Sequence, residues 1–85
     1  MAYEIAYKSS AVKELDKLPR EIQRRILEAI QLLSDNPRPS GVKKLQSEID
    51  LYRIRIGEYR VVYSIQDGQL KILVVAIGHR RDIYR

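Results

Sequence analysis

Residues 51–66 read Leu51-Tyr52-Arg53-Ile54-Arg55-Ile56-Gly57-Glu58-Tyr59-Arg60-Val61-Val62-Tyr63-Ser64-Ile65-Gln66. Two runs rich in β-branched and aromatic residues flank Gly57-Glu58, which is the pattern of a hairpin closed by a two-residue turn. Turn length sets register. With Gly57 and Glu58 in the loop, Ile56 pairs with Tyr59, Arg55 with Arg60 and Arg53 with Val62. Side chains alternate along a strand, so Arg53, Arg55 and Arg60 share one face. Tyr52, Ile54, Ile56, Val61, Tyr63 and Ile65 make the other face, which is apolar and suited to a covering of helices.

Downstream, Asp67-Gly68 reads as a second two-residue turn leading into a strand over Gln69–Ile77. That register sets Arg60 opposite Val75. Ile72-Leu73-Val74-Val75-Ala76-Ile77 is apolar on both faces, as a central strand is. Upstream, Tyr3-Glu4-Ile5-Ala6-Tyr7 alternates and reads as a short strand able to add beside that one. Ser9 or Ser10 can cap a helix that carries Ala11, Leu15 and Leu18 at helical spacing. Pro19 suits the first turn of a second helix, where no amide donor is required. In it Ile22, Ile26, Ile30 and Leu33 recur on one side, and Asp35-Asn36-Pro37 stops it. Arg38-Pro39-Ser40-Gly41 is a loop, and Lys43-Lys44 lies on a connection without an assignable element. The expected fold is α+β in the order β-α-α-β-β-β, a single domain over residues 1–85. Its two N-terminal helices form an αα-hairpin on one face of a twisted, largely antiparallel four-stranded sheet.

Three arginines on one sheet face need a physical reason, since like charges directly opposite cost roughly 0.2–1 kcal/mol. A phosphate between them would offset that, because guanidinium groups bind phosphate oxygens in pairs. The bland reading is a solvated surface with Glu48, Asp50 or Glu58 as local partners. Net charge is +5. Residues 1–37 hold six Lys/Arg and six Asp/Glu, whereas residues 38–85 hold ten and five and so carry all of the excess. A one-sided positive balance suits a polyanionic partner.

The absence of cysteine excludes disulfides, thiolate metal sites and cysteine nucleophiles, and one histidine makes a zinc site poorly supplied. No cofactor or metal is expected. No apolar run approaches the ~20 residues that span a bilayer, and the first residues lack the basic-then-apolar order of a signal peptide. The expected compartment is the cytoplasm, with no membrane partner.

Leu51-Tyr52-Arg53-Ile54-Arg55-Ile56, then Glu58-Tyr59-Arg60-Val61-Val62-Tyr63, then Ala76-Ile77-Gly78-His79-Arg80-Arg81-Asp82-Ile83-Tyr84 resemble, in that order, the RelE branch of the RelE/ParE toxin superfamily. The resemblance covers nearly the whole chain. It implies the toxin of a type II toxin–antitoxin system, an endoribonuclease (mRNA interferase) that enters the ribosomal A site and cuts messenger RNA without a metal. The ribose 2′-hydroxyl attacks the adjacent phosphate and expels the 5′-oxygen. It implies catalytic roles for Arg53 and Arg55 at two basic positions, Arg60 at the scissile phosphate, Arg80 near the leaving group and Tyr84 against the cleaved nucleotide. Relatives often carry lysine at the positions of Arg53 and Arg55. Arginine is poorly suited to remove a proton, which leaves Tyr84 and His79 as candidate bases. Lys43, Lys44, Lys71 and Arg81 are expected to contact RNA or the ribosome. Implied partners are a cognate antitoxin, the ribosome with its messenger, and operator DNA reached through the antitoxin complex. Two alternatives share the fold: a ParE-like gyrase inhibitor acting by binding alone, and an inactive co-repressor.

Overall fold

The structure is a computed structural model that describes residues 2–46 and 51–79. Strand β1 (Glu4–Tyr7) leads into helices α1 (Ser9–Asp16) and α2 (Arg20–Leu33). Strands β2 (Lys43–Gln46), β3 (Leu51–Ile56) and β4 (Tyr59–Gln66) follow, then a 3-10 turn (Asp67–Gln69) and β5 (Lys71–His79). The sheet order is β1-β5-β4-β3-β2. β1 joins β5 in parallel and the remaining pairs are antiparallel. The class is the α+β fold expected, but the sheet has five strands, not four. The addition is β2, whose Lys-Lys-Leu-Gln composition has little β propensity. It is an edge strand, where lysines discourage further pairing.

One face of the sheet carries the core. Tyr52, Ile54, Val61, Tyr63, Ile65, Ile72, Val74 and Ile77 pack with Ala11 and Leu15 of α1 and with Ile26, Ile30 and Leu33 of α2. The helical spacing seen in the sequence is therefore the buried stripe of each helix. Each fully buried isoleucine contributes roughly 1.5–3 kcal/mol relative to exposure. β5 is interior, flanked by β1 and β4. Past Tyr7, where β1 ends, the Ile77 amide donates instead to Glu14 Oε1 of α1 at 2.9 Å.

Three local expectations are corrected. Neither Ser9 nor Ser10 caps α1; the cap position is Lys8, with no side-chain cap bond. The Lys8 amide extends the ladder by donating to the Val74 carbonyl at 2.9 Å, so the strand runs directly into the helix. Pro19 occupies the cap of α2, one residue before its first turn.

The third correction matters for the site. Asp67-Gly68 is not a two-residue turn. Gln66 pairs with Lys71 around four residues, and Leu70 takes the left-handed conformation, φ 50 and ψ 51, that turns the chain back. Tertiary bonds override the local preference: Asp67 accepts from the Tyr3 hydroxyl at 2.7 Å and from Arg38 Nη2 at 2.9 Å. A register shift follows between Val62 and Tyr63, where Val75 is the extra residue of a bulge in β5. The wider turn moves the register by two and the bulge by one, so Arg60 faces Gly78, not Val75.

Candidate functional site

The first hairpin has the register its turn dictates. Gly57 has φ +61, Ile56 pairs with Tyr59, Arg55 with Arg60 and Arg53 with Val62. Directly opposite residues share a face, so Arg53, Arg55 and Arg60 stand together on the side away from the helices. β2 adds a fourth cation, because Lys43 pairs with Arg53. These four side chains and Gly41 line a concavity of about 180 Å3.

Arg60 is only 8% exposed, whereas Arg55 is exposed and its Nε donates to the Gly57 carbonyl at 3.2 Å. The Nε atoms of Arg53 and Arg60 are buried with no hydrogen bond at that atom, while both residues have contacts elsewhere. Guanidinium groups stay charged, and a buried charge is costly without an anion or hydrogen bonds to answer it. Gly78 stands opposite Arg60, and a Cβ added there would meet no described residue within 4 Å. The arrangement can hold an oxyanion and stabilise charge that grows on it.

Other expected site residues are not brought to this concavity. Lys44, adjacent to Lys43, pairs with Tyr52 on the opposite face, and its Nζ lies 5.9 Å from the Tyr52 ring centroid. Lys71 pairs with Gln66, six residues along β4 from Arg60. At ~3.3 Å per residue that is about 20 Å away. His79 pairs with Tyr59 and meets its ring edge-on at 5.6 Å; Tyr59 packs against the core, so His79 points away from the arginines. Arg80, Arg81 and Tyr84 lie outside the described residues. Lys43, expected as an outer contact, lines the concavity itself. Its position was hidden because it depends on pairing within β2, a strand with almost no sequence signature.

A polar clamp holds the loop that delivers Gly41 and Lys43. Arg38 bonds both carboxylate oxygens of Asp67 and donates from Nε to the Tyr52 hydroxyl at 3.3 Å. The Arg38 bonds, then that from Tyr3, hold the Asp67 carboxyl below the usual aspartate range. Tyr63, fully buried, donates to the Pro37 carbonyl at 2.6 Å, and burial pushes its phenol up to about 12. Beside the concavity runs an apolar groove of about 670 Å3 between the end of α2 and β3, lined by Ala29, Leu32, Leu33, Ile54 and Ile56. Gly41 and Arg55 belong to both walls. Among the described residues, no group of three His, Cys, Asp or Glu could hold a metal, and no helix is long and apolar enough to cross a membrane.

A family model described as the ParE toxin of type II toxin–antitoxin system, parDE, matches residues 5–84. Toxin RelE of Mycobacterium tuberculosis is 34% identical over 85 residues, covering 98% of this chain and 87% of that one. The mRNA interferase toxin RelE of Escherichia coli is 28% identical over 82 residues, covering 94% and 85%. Among solved structures, the archaeal RelE–RelB complex from Pyrococcus horikoshii contains a chain that superposes with a TM-score of 0.84 at 34% identity, covering 96% of this chain and 99% of that one.

Proposed function

Because the chain belongs to the ParE toxin family of type II toxin–antitoxin systems, as a toxin of its RelE type, we propose that it is a metal-independent endoribonuclease that cuts messenger RNA in the ribosomal A site. The observation that carries this reading is the concavity lined by Arg53, Arg55 and Arg60. In the proposed reaction the 2′-oxygen forms a bond to phosphorus as its proton passes to a base. The bond from phosphorus to the 5′-oxygen breaks, and that oxygen takes up a proton. A 2′,3′-cyclic phosphate and a 5′-hydroxyl result. Charge builds on the crowded phosphorane, where fixed guanidinium groups act most strongly. Arg60 is proposed at the scissile phosphate, with Arg53 and Arg55 beside it. By resemblance, Arg80 serves the leaving oxygen and Tyr84 the cleaved nucleotide. The contact of His79 with Tyr59 favours a structural role for that side chain and leaves Tyr84 as the proposed base. Lys44, Lys71 and Arg81 are proposed as outer contacts to RNA or the ribosome.

The relatives crystallised with their antitoxins support a cognate antitoxin here as well. The proposed inhibitor segment has an apolar side for the groove between α2 and β3 and a carboxylate for Arg55, where groove and concavity meet. Its complex is also the proposed route to operator DNA, and the cytoplasm, where ribosomes are, the proposed compartment.

Single-turnover cleavage on programmed ribosomes tests the reading. Arg60→Ala and Arg80→Ala should each slow cleavage on the order of a hundredfold while binding changes little, as losses confined to the transition state do. Tyr84→Phe should be nearly as damaged as Tyr84→Ala if the hydroxyl carries the proton, and His79→Gln should stay near the parent rate. Intact messenger with the parent chain would overturn the proposal. Gyrase inhibition in its place would favour the ParE-like reading, which the family description also names.

A further inference from the structure

Lys43 and Lys44 are neighbours in sequence yet face opposite sides of the sheet. Lys43 pairs with Arg53 and lines the concavity; Lys44 pairs with Tyr52 and lies over its ring. The loop before them is fixed. Gly41 has φ +90, the Val42 amide donates to the Pro39 carbonyl at 3.1 Å, and Arg38 is clamped to Asp67. The start of β2, and with it the direction of Lys43, is therefore built into the fold.

The four cations form two rows across the strands. One row is Lys43 and Arg53, the other Arg55 and Arg60. Residues two apart on a strand are about 7 Å apart, a spacing comparable to that between consecutive phosphates of a nucleotide chain. Each row presents two positive groups, which is what one phosphate takes. A lysine ammonium in the outer row also suits a phosphate that is held but not cleaved. It is a mobile point charge, whereas the guanidinium fork fixes geometry.

We propose that the concavity is a two-phosphate site, in which Arg55 and Arg60 hold one phosphate and Lys43 with Arg53 hold its neighbour on the same RNA strand. The inference rests on the nucleic-acid reading above only for the identity of the polyanion. Binding without cleavage tests it separately. The probes are 2′-O-methyl oligonucleotides, a dinucleotide with one phosphate and a trinucleotide with two, titrated into the parent chain and followed by amide chemical shifts. The parent should bind the trinucleotide about tenfold more tightly than the dinucleotide. Lys43→Ala should abolish that gain and leave dinucleotide affinity within about twofold. Lys43→Arg should keep the gain, and Lys13→Ala, an exposed cation on α1 at the helix side of the sheet, should change neither affinity. Equal loss of both ligands in Lys43→Ala, or no gain in the parent, would overturn the proposal. If these binding results hold while messenger on ribosomes stays intact, the nuclease reading fails and the two-phosphate site stands.

Discussion

Replacing Arg60 with methionine should make the protein more stable and cost it the ability to hold an anion. Arg60 is 8% exposed and directly opposite Arg55. Like charges in that relation cost roughly 0.2–1 kcal/mol, and burial of the charge adds to that. Methionine has similar length, carries no charge and adapts to irregular surroundings. From relief of the like-charge relation, the expected gain is up to about 1 kcal/mol. For a domain this small, that raises the melting temperature by up to roughly 4–8 °C. Phosphate should reverse the order. A ligand that binds only the folded state stabilises it by RT ln(1 + [L]/Kd), about 1.4 kcal/mol at ten times Kd. Thermal unfolding of both chains, measured with and without phosphate at constant ionic strength, reads both effects. General salting effects act on the two chains alike, so the difference isolates the site. If the variant melts below the parent without phosphate, Arg60 is a structural residue. If phosphate raises both melting temperatures equally, Arg60 is not in the anion site.

Tyr63→Phe leaves the Pro37 carbonyl without the buried donor it has at 2.6 Å. Roughly 1–2 kcal/mol of stability should be lost in a urea titration, and an unchanged midpoint would show that this bond contributes nothing. The Tyr63 phenol is raised from 10.0 to about 12, so the unfolded chain ionises first. Parent stability should fall as pH rises from about 10 to 12, a slope that Tyr63→Phe should lack. Asp67 has the opposite sign: its folded pKa is depressed, so its contribution is present above the ordinary aspartate pKa and is lost as pH falls through the folded value. Asp67→Asn should flatten the acid limb of the stability profile, and identical limbs would remove the clamp from the account.

What was legible in the sequence was whatever short-range geometry determines. Gly57-Glu58 gave the register of β3 and β4 residue for residue, and so the shared face of Arg53, Arg55 and Arg60. The spacing of Ile26, Ile30 and Leu33 gave the buried side of α2. Asp67-Gly68 resembles a tight turn equally well, but Asp67 is engaged by Tyr3, 64 positions away, and by Arg38, 29 positions away. No local pattern encodes those bonds. The bulge at Val75 and strand β2 escaped for the same reason, since an extra residue or a polar edge strand is defined by its partner. The expected roles of Arg80, Arg81 and Tyr84 come from resemblance and fall beyond the described residues.

The two faces of the sheet divide stability from chemistry. Helices and the apolar side chains beneath them bury one face, which leaves the other able to hold four cations that contribute nothing to the core. The corrected register shows what that division permits. Had Arg60 faced Val75, a β-branched side chain would stand beside the arginine. The wider turn and the bulge bring Gly78 there instead. Gly78 has no left-handed φ to require glycine, and a Cβ on it would meet no described residue within 4 Å. Neither a left-handed φ nor packing among the described residues calls for glycine there, and the small residue suits the ligand proposed next to Arg60. Gly41 borders the concavity beside Arg55 and also leaves it open, there with a positive φ that glycine adopts readily. With Lys43 and the three arginines, Gly41 gives the proposed site a cationic wall that a chain of phosphates can approach.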